Sequence, residues 1–335
     1  MAKKVFGIDF GTSVIKIFKK GEGIIVDEKN VVATQKKKLY AGGNDAYEMY
    51  EKAPENIEVS YPMKAGVIAE IANMQMLLDY FIKTKCYKKG FHGQNADYIV
   101  AVPTNITEVE RRAFVDLVRN SVGKAKDVIL IDKPVVAAVG IGLDVTSASG
   151  VMTVDIGSDT TEIGIMSLGG IVLSKLIPIG GNKIDESIQL LVKKRYNLYI
   201  GSKTAEQIKM ELGSATGDEG ITMNVFGRDV VTGLPKQMEI SSKLVCEAIK
   251  EHLYTIVDAI KMILEHTPPE ISSDIIDSGI YLTGGSAKIK QLDALISEET
   301  DLIVNISDDC ENSVVKGLGV IMEDSSLLAQ LHHKL

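Results

Sequence analysis

Two short stretches carry the residue types that phosphate and metal chemistry needs. Residues 5–18 read VFGIDFGTSVIKIF and residues 151–164 read VMTVDIGSDTTEIG. In each, an apolar strand runs onto an aspartate, Asp9 or Asp155, then an apolar residue, a glycine and a polar turn with threonine. A tight turn after a strand gathers backbone N–H groups, and glycine lets a ligand approach closely. In Gly11-Thr12-Ser13 and in Gly157-Ser158-Asp159-Thr160-Thr161, N–H groups and hydroxyls can donate to phosphate oxygens. The aspartate would bind Mg²⁺, largely through water, because that ion keeps part of its hydration shell. One copy alone reads equally as a hairpin with Asp and Gly as turn formers. The two aspartates are 146 residues apart, about one domain length, so duplication argues against coincidence. Two such loops would close on one triphosphate from opposite sides. A third element, Leu282-Thr283-Gly284-Gly285-Ser286, runs from a buried strand through a Gly-Gly turn toward a helix. Bare backbone there suits a flat or anionic ligand.

These loops need a scaffold. Each copy is followed by further β-type sequence, at 23–33 and at 169–179, so the chain reads as two copies of one α/β unit. Helical spacing is expected at 67–86, 107–123, 134–142, 182–196, 204–213, 241–266 and 287–298. Thr107 and Glu110 form a capping-box pattern, and Pro134 suits the first turn of its helix. Segments 95–103, 127–132 and 279–285 are nearly continuous apolar runs, as in strands covered on both faces. Segment 34–62 is polar and weakly periodic, which predicts a smaller exposed subdomain, with 214–240 as its counterpart.

Length and composition fit this plan. At 335 residues the chain exceeds one ordinary core and predicts two domains. A net charge of −8 removes the basic field that nucleic acid would need. Cys86, Cys246 and Cys310 are far apart and odd in number, so disulfides and structural zinc are not expected and a reducing cytosol is the default. The N-terminus has no apolar h-region and no run of 18 apolar residues exists, which predicts neither a signal peptide nor a membrane span.

The three motifs, in this order and spacing, resemble those of the actin and sugar-kinase superfamily. More narrowly the chain resembles the MreB family of bacterial actins. GIDFGTS, VAVPTNITEVERRAF, VVAAVGIGLDV, DIGSDTTEIGIMSLGGIV, GNKIDESI, YNLYIGSKTAEQIKMELGSA and TPPEISSDIIDSGIYLTGGS carry the likeness over about residues 5–322. The resemblance implies an α/β, actin-like fold with two related domains on RNase H-like cores and a nucleotide cleft between them. Domain I would comprise 1–144 and 314–335 with a subdomain inserted at about 33–66; domain II would comprise 145–313 with one at about 182–244. It implies ATP or ADP with Mg²⁺ at Asp9 and Asp155. Thr12, Ser13, Val14 and Ile15 would form the first phosphate loop with Gly11, and Ser158, Asp159 and Thr160 the second with Gly157. Glu206, Gln207, Ile208 and Lys209 would line the adenosine, and Gly284, Gly285, Ser286, Ala287 and Lys288 would pack on base and ribose. Without the resemblance, Glu206 and Lys209 read as a solvated i,i+3 pair.

Two positions depart from the family. Its second loop resembles Asp-Ile-Gly-Gly-Gly-Thr-Thr, whereas Ser158 and Asp159 stand here, and a carboxylate facing the phosphates without a cation would repel them. Family members carry Glu-Glu-Pro where this chain has Asp132-Lys133-Pro134. The second glutamate, with a threonine matching Thr160 beside Thr161, is thought to orient the attacking water. A lysine cannot accept its proton at neutral pH. Asp132 either substitutes in part or serves as a helix cap. The resemblance thus implies a cytoplasmic filament subunit that determines cell shape, with slow or altered ATP hydrolysis. It implies self-association into homopolymers of paired protofilaments and paralogous MreB subunits as partners. The departures resemble divergent paralogues of wall-less helical swimming bacteria, where shape and motility are linked. Weak contact with the inner face of the membrane would use Phe91 and the nearby Lys85, Lys88 and Lys89, which otherwise read as a solvated loop. The rival readings are a non-hydrolysing scaffold that co-assembles with other subunits, a metabolic kinase of the same fold and a chaperone ATPase.

Overall fold

The strand-forming runs pair into two five-stranded sheets of one order. In the computed structural model, which describes residues 4–86, 96–121 and 125–332, Val5–Phe10 is the central strand of the first sheet. It pairs antiparallel with Val14–Lys19, which pairs with Gly23–Lys29. On its other side it runs parallel to Asp97–Val102, which runs parallel to Asp127–Asp132. The second sheet places Val151–Ile156 at the centre. Thr161–Ser167 and Gly170–Ile177 follow on one side, Ile280–Thr283 and Val304–Ile306 on the other. Each sheet is therefore a three-strand meander extended beyond its first strand by two later strands. The sequence echo is a structural repeat.

The described chain packs as two units, one of Met1–Thr153, Gly164–Leu176 and Glu311–Leu335, the other of Val154–Ile163 and Ile177–Cys310. In the first, Phe6, Ile8, Ile15, Ile17, Phe81 and Tyr98 lie in one buried cluster. Phe6 stacks on Tyr98 with ring centroids 5.5 Å apart, a geometry that favours aromatic pairs. The helices Lys133–Gly140 and Ser313–Glu323 approach until backbone meets backbone. A Cβ at Gly317 would lie 1.8 Å from the Val136 carbonyl oxygen, so only glycine fits. In the second unit the helix Ser242–Glu265 buries Leu244, Val245, Ile249, Leu253, Ile256, Val257, Ile260 and Ile263, the stripe its spacing predicts.

Local signals set several boundaries. Thr107 caps Glu108–Arg119 with the full capping box, and Pro134 sits in the first turn of Lys133–Gly140. The segment expected to be helical over 67–86 starts later. Val67–Ile68 is a short strand, the helix is Ile71–Phe81, and its last turn, Ile82–Cys86, widens to π geometry. The expected helix 287–298 is broken: a 3₁₀ turn spans Gly285–Lys288, Gln291 takes φ 57°, and the helix is Leu292–Thr300. The β-type run 23–33 also splits, at Asn30, into Gly23–Lys29 and Val32–Gln35. The polar segment 34–62 holds a small sheet of Val32–Gln35, Lys38–Gly42 and Glu58–Ser60 with the helix Asn44–Met49. Its counterpart at 214–240 holds the hairpin Thr222–Asp229 and Pro235–Ser241. The Phe91 loop lies outside the described residues. Among the described residues no helix is long and apolar enough to cross a membrane.

Candidate functional site

In the first unit the Asp9 loop is a turn pinned from beneath. A Cβ at Gly11 would lie 2.4 Å from the Val14 carbonyl oxygen, so the turn excludes a side chain there. Asn30, fully buried, donates its backbone N–H to the Ser13 carbonyl and its Nδ2 to the Gly11 carbonyl, both at 2.8 Å. Both bonds tie carbonyls of the turn to one buried side chain and its backbone. Thr12 accepts a 3.3 Å hydrogen bond from the Gly66 N–H. Asp9, buried at 9% exposure, sits opposite Lys16 in the strand register. Lys16 is buried too. It donates to the Glu311 carbonyl at 3.0 Å and to the Asn312 side chain, and lies 3.8 Å from Asp27. Sequence reasoning missed both Asn30 and Lys16. Its only signal for Lys16 was a lysine on the apolar phase of VIKIF.

Asp132 and Lys133 lie at the end of the strand Asp127–Asp132 in this unit. Asp132 holds the cap position of the helix Lys133–Gly140, but its side chain caps nothing. Its carboxylate instead accepts from the Arg111 guanidinium at 2.5 Å, with both side chains mostly buried. Neither reading offered from sequence anticipated that ion pair, because Arg111 belongs to another helix 21 residues earlier. Lys133 is the first residue of its helix and is half-buried.

The second unit gathers most of the remaining candidates. Gly157 N–H donates to the Thr160 carbonyl at 2.9 Å, closing the Asp155 loop. The helix Gly181–Tyr196 is laced beneath it: Gly181 N–H donates to the Gly157 carbonyl at 3.0 Å and Asn182 N–H to the Ser158 carbonyl at 2.7 Å. Asn182 Nδ2 donates to the Asp159 carboxylate at 2.7 Å. Asp155 is 4% exposed and accepts from the fully buried Thr283 hydroxyl at 3.0 Å. Gly284, at φ 85°, crosses so near Ile156 that a Cβ would lie 2.4 Å from its carbonyl oxygen. Ser286 donates to the Gly157 carbonyl at 3.0 Å. The Gly-Gly turn and the Asp155 loop are thus one assembly.

Lys209 joins that assembly. Its ammonium donates to Asp185 at 2.8 Å and to the Gly181 carbonyl at 3.1 Å. A Cβ on Gly181 would stand 2.9 Å from both Lys209 Nζ and Ser286 Oγ, so glycine makes the convergence feasible. Glu206 is half-buried, while Gln207 is exposed and bonds Glu211. Ile208 and Ala287 are fully buried and act by packing; Gly285 and Lys288 are exposed. Thr161 is fully buried, with its hydroxyl on the Ile179 carbonyl at 2.8 Å, whereas Thr160 is half-buried.

Asp9 and Asp155 are buried carboxylates at repeated strand ends, and such hard oxygen donors are of the kind that suits Mg²⁺. Among the described residues no group of three or more His, Cys, Asp or Glu could hold a metal by itself.

The family model described as MreB/Mbl protein matches residues 3–330. The cell shape-determining protein Mbl of Bacillus cereus is 40% identical over 327 residues, 97% of each chain. The cell shape-determining protein MreB of Escherichia coli is 40% identical over 323 residues, 94% of this chain and 92% of the relative. A crystal structure of MreB5 of Spiroplasma citri bound to AMPPNP superposes with a TM-score of 0.92 at 32% identity, covering 98% of this chain and 99% of that one. Repeated sheet, paired loops and end-to-end likeness agree: the chain has the actin-like fold and belongs to the MreB/Mbl family.

Proposed function

We propose that this chain binds ATP and ADP and assembles into cytoskeletal filaments that help determine cell shape. One observation carries the nucleotide reading: the second loop, the Gly-Gly turn and Lys209 are bonded into one assembly around Asp155 and Gly157. The S. citri relative, similar over nearly its whole length, has been crystallised with AMPPNP and with ADP. The turn N–H groups of Ser158–Thr160, and those of Gly11–Ile15 in the first unit, would receive phosphates. Glu206–Lys209 would line the adenosine, and Gly284–Lys288 the base and ribose. Asp9 and Asp155 would hold Mg²⁺, whose chemistry is neutralisation of phosphate charge. Titration calorimetry with ATP tests the site: binding that an Asp155→Ala variant loses supports it, and a wild type that binds no nucleotide ends it.

Hydrolysis is slow in this reading. Lys133 stands where a water-orienting glutamate is expected, and an ammonium cannot take the water's proton. Asp132 is engaged by Arg111, which holds its carboxylate in an ion pair and away from the role of a replacement base. Thr160 is the remaining candidate to position water. Nucleotide state would then bias assembly, with turnover as a slow reset. The filaments would be homopolymers of paired protofilaments in the cytoplasm, with paralogous subunits as further partners. Membrane contact through the Phe91 loop would be weak, since one aromatic buries little area.

A further inference from the structure

The second loop differs from the family pattern by placing a carboxylate, Asp159, where phosphate is expected to sit. Three consecutive ties fasten this loop to the helix Gly181–Tyr196. Gly157 and Ser158 carbonyls accept the N–H groups of Gly181 and Asn182. Asp159 accepts Asn182 Nδ2 at 2.7 Å. Gly180 permits the seating, because a Cβ there would lie 2.6 Å from the Ser158 carbonyl oxygen.

Two consequences follow. The first N–H groups of this helix are spent on loop carbonyls, so anion binding falls to the loop's own N–H groups. The carboxylate is also drawn to the positive end of a 16-residue helix, where negative charge is favoured, and held there by a charge-assisted hydrogen bond. We infer that Asn182 is a positioning residue that turns Asp159 away from the phosphates and so keeps this altered loop able to bind a nucleoside triphosphate. The inference rests on the nucleotide reading above. The Asn182 side chain bonds Asp159, the group through which it would act. Its effect passes wholly through Asp159.

This makes a specific demand on a double-mutant cycle. Asn182→Ala releases the carboxylate, and repulsion grows with the charge and reach of the phosphate chain. ATP affinity should fall about tenfold, equivalent to about 1.4 kcal/mol, and ADP affinity by a smaller factor. Adding Asp159→Gly to Asn182→Ala should restore the wild-type ATP affinity, because the carboxylate is gone. Asn182 is exposed in the first helical turn, and melting curves check that the variants stay folded. Calorimetry with ATP and ADP on all four proteins reads the cycle. An unchanged ATP affinity in Asn182→Ala overturns the inference, as does a double variant no tighter than Asn182→Ala, which would mark a purely structural role. Both results leave the nucleotide reading intact. A folded wild type that binds neither nucleotide overturns the reading and this inference together.

Discussion

Lys209 offers the sharpest separation of stability from binding. Its ammonium lies 2.8 Å from Asp185 and 3.1 Å from the Gly181 carbonyl, with the paired side chains only 11% and 10% exposed. Lys209→Met keeps most of the apolar stem but removes the ammonium from a buried carboxylate. Breaking one side of such a pair costs about 3–5 kcal/mol, whereas replacing both sides by packed apolar groups is often near neutral. The second unit should therefore melt roughly 6–20 °C lower in Lys209→Met, at about 2–4 °C per kcal/mol for a domain of this size. Adding Asp185→Leu should recover at least half of the loss. Because the chain packs as two units, calorimetry must follow the transition that belongs to the second. If Lys209 also lines adenosine, the recovered double variant should remain weak for ATP. A Lys209→Met protein melting within 2 °C of wild type, or a double variant melting no higher than the single, refutes the reasoning.

Gly317→Ala should cost about 3 kcal/mol, because the new Cβ meets Val136 backbone that no rotamer change can move. Gly217→Ala, where nothing lies within 4 Å, should stay within about 0.5 kcal/mol in the same melting assay. Lys133→Glu should raise steady-state phosphate release at least about tenfold, given what a positioned base contributes. An ordinary rate in wild type with no gain in the variant argues against slow hydrolysis. Asp229 is held near pKa about 2, chiefly by the Thr232 N–H, then by Lys236 and the Val231 N–H. Its folded value lies below the unfolded one, so its contribution is present above about pH 4 and lost as pH falls through about 2. Carboxyl NMR titration should find that midpoint, and Lys236→Met should raise it; a midpoint near 4 in wild type contradicts the bracing of this turn.

What was legible in the sequence follows the range of the interaction. The repeat at Asp9 and Asp155 predicted two related sheets because each copy is a contiguous strand–turn–strand segment. The Thr107 capping box and the stripe of Ser242–Glu265 are local in the same sense. The break at Gln291 was missed because a non-glycine residue there takes a left-handed conformation that spacing alone does not announce. Arg111, Asn182 and Lys16 were hidden differently. Each acts through a partner 21 to 296 residues away, and neither charge pattern nor helical period links such positions. Gly181 shows the same limit: the likeness over GNKIDESI marked the stretch, but only the fold shows Lys209 and Ser286 meeting at it.

The most direct test of the central claim is sedimentation of the purified chain with ATP and Mg²⁺, with the pellet viewed by electron microscopy. The account predicts nucleotide-dependent pelleting, paired protofilaments in the pellet, and persistence of those filaments as long as hydrolysis is slow. A folded protein that binds ATP yet stays monomeric at every concentration would contradict it.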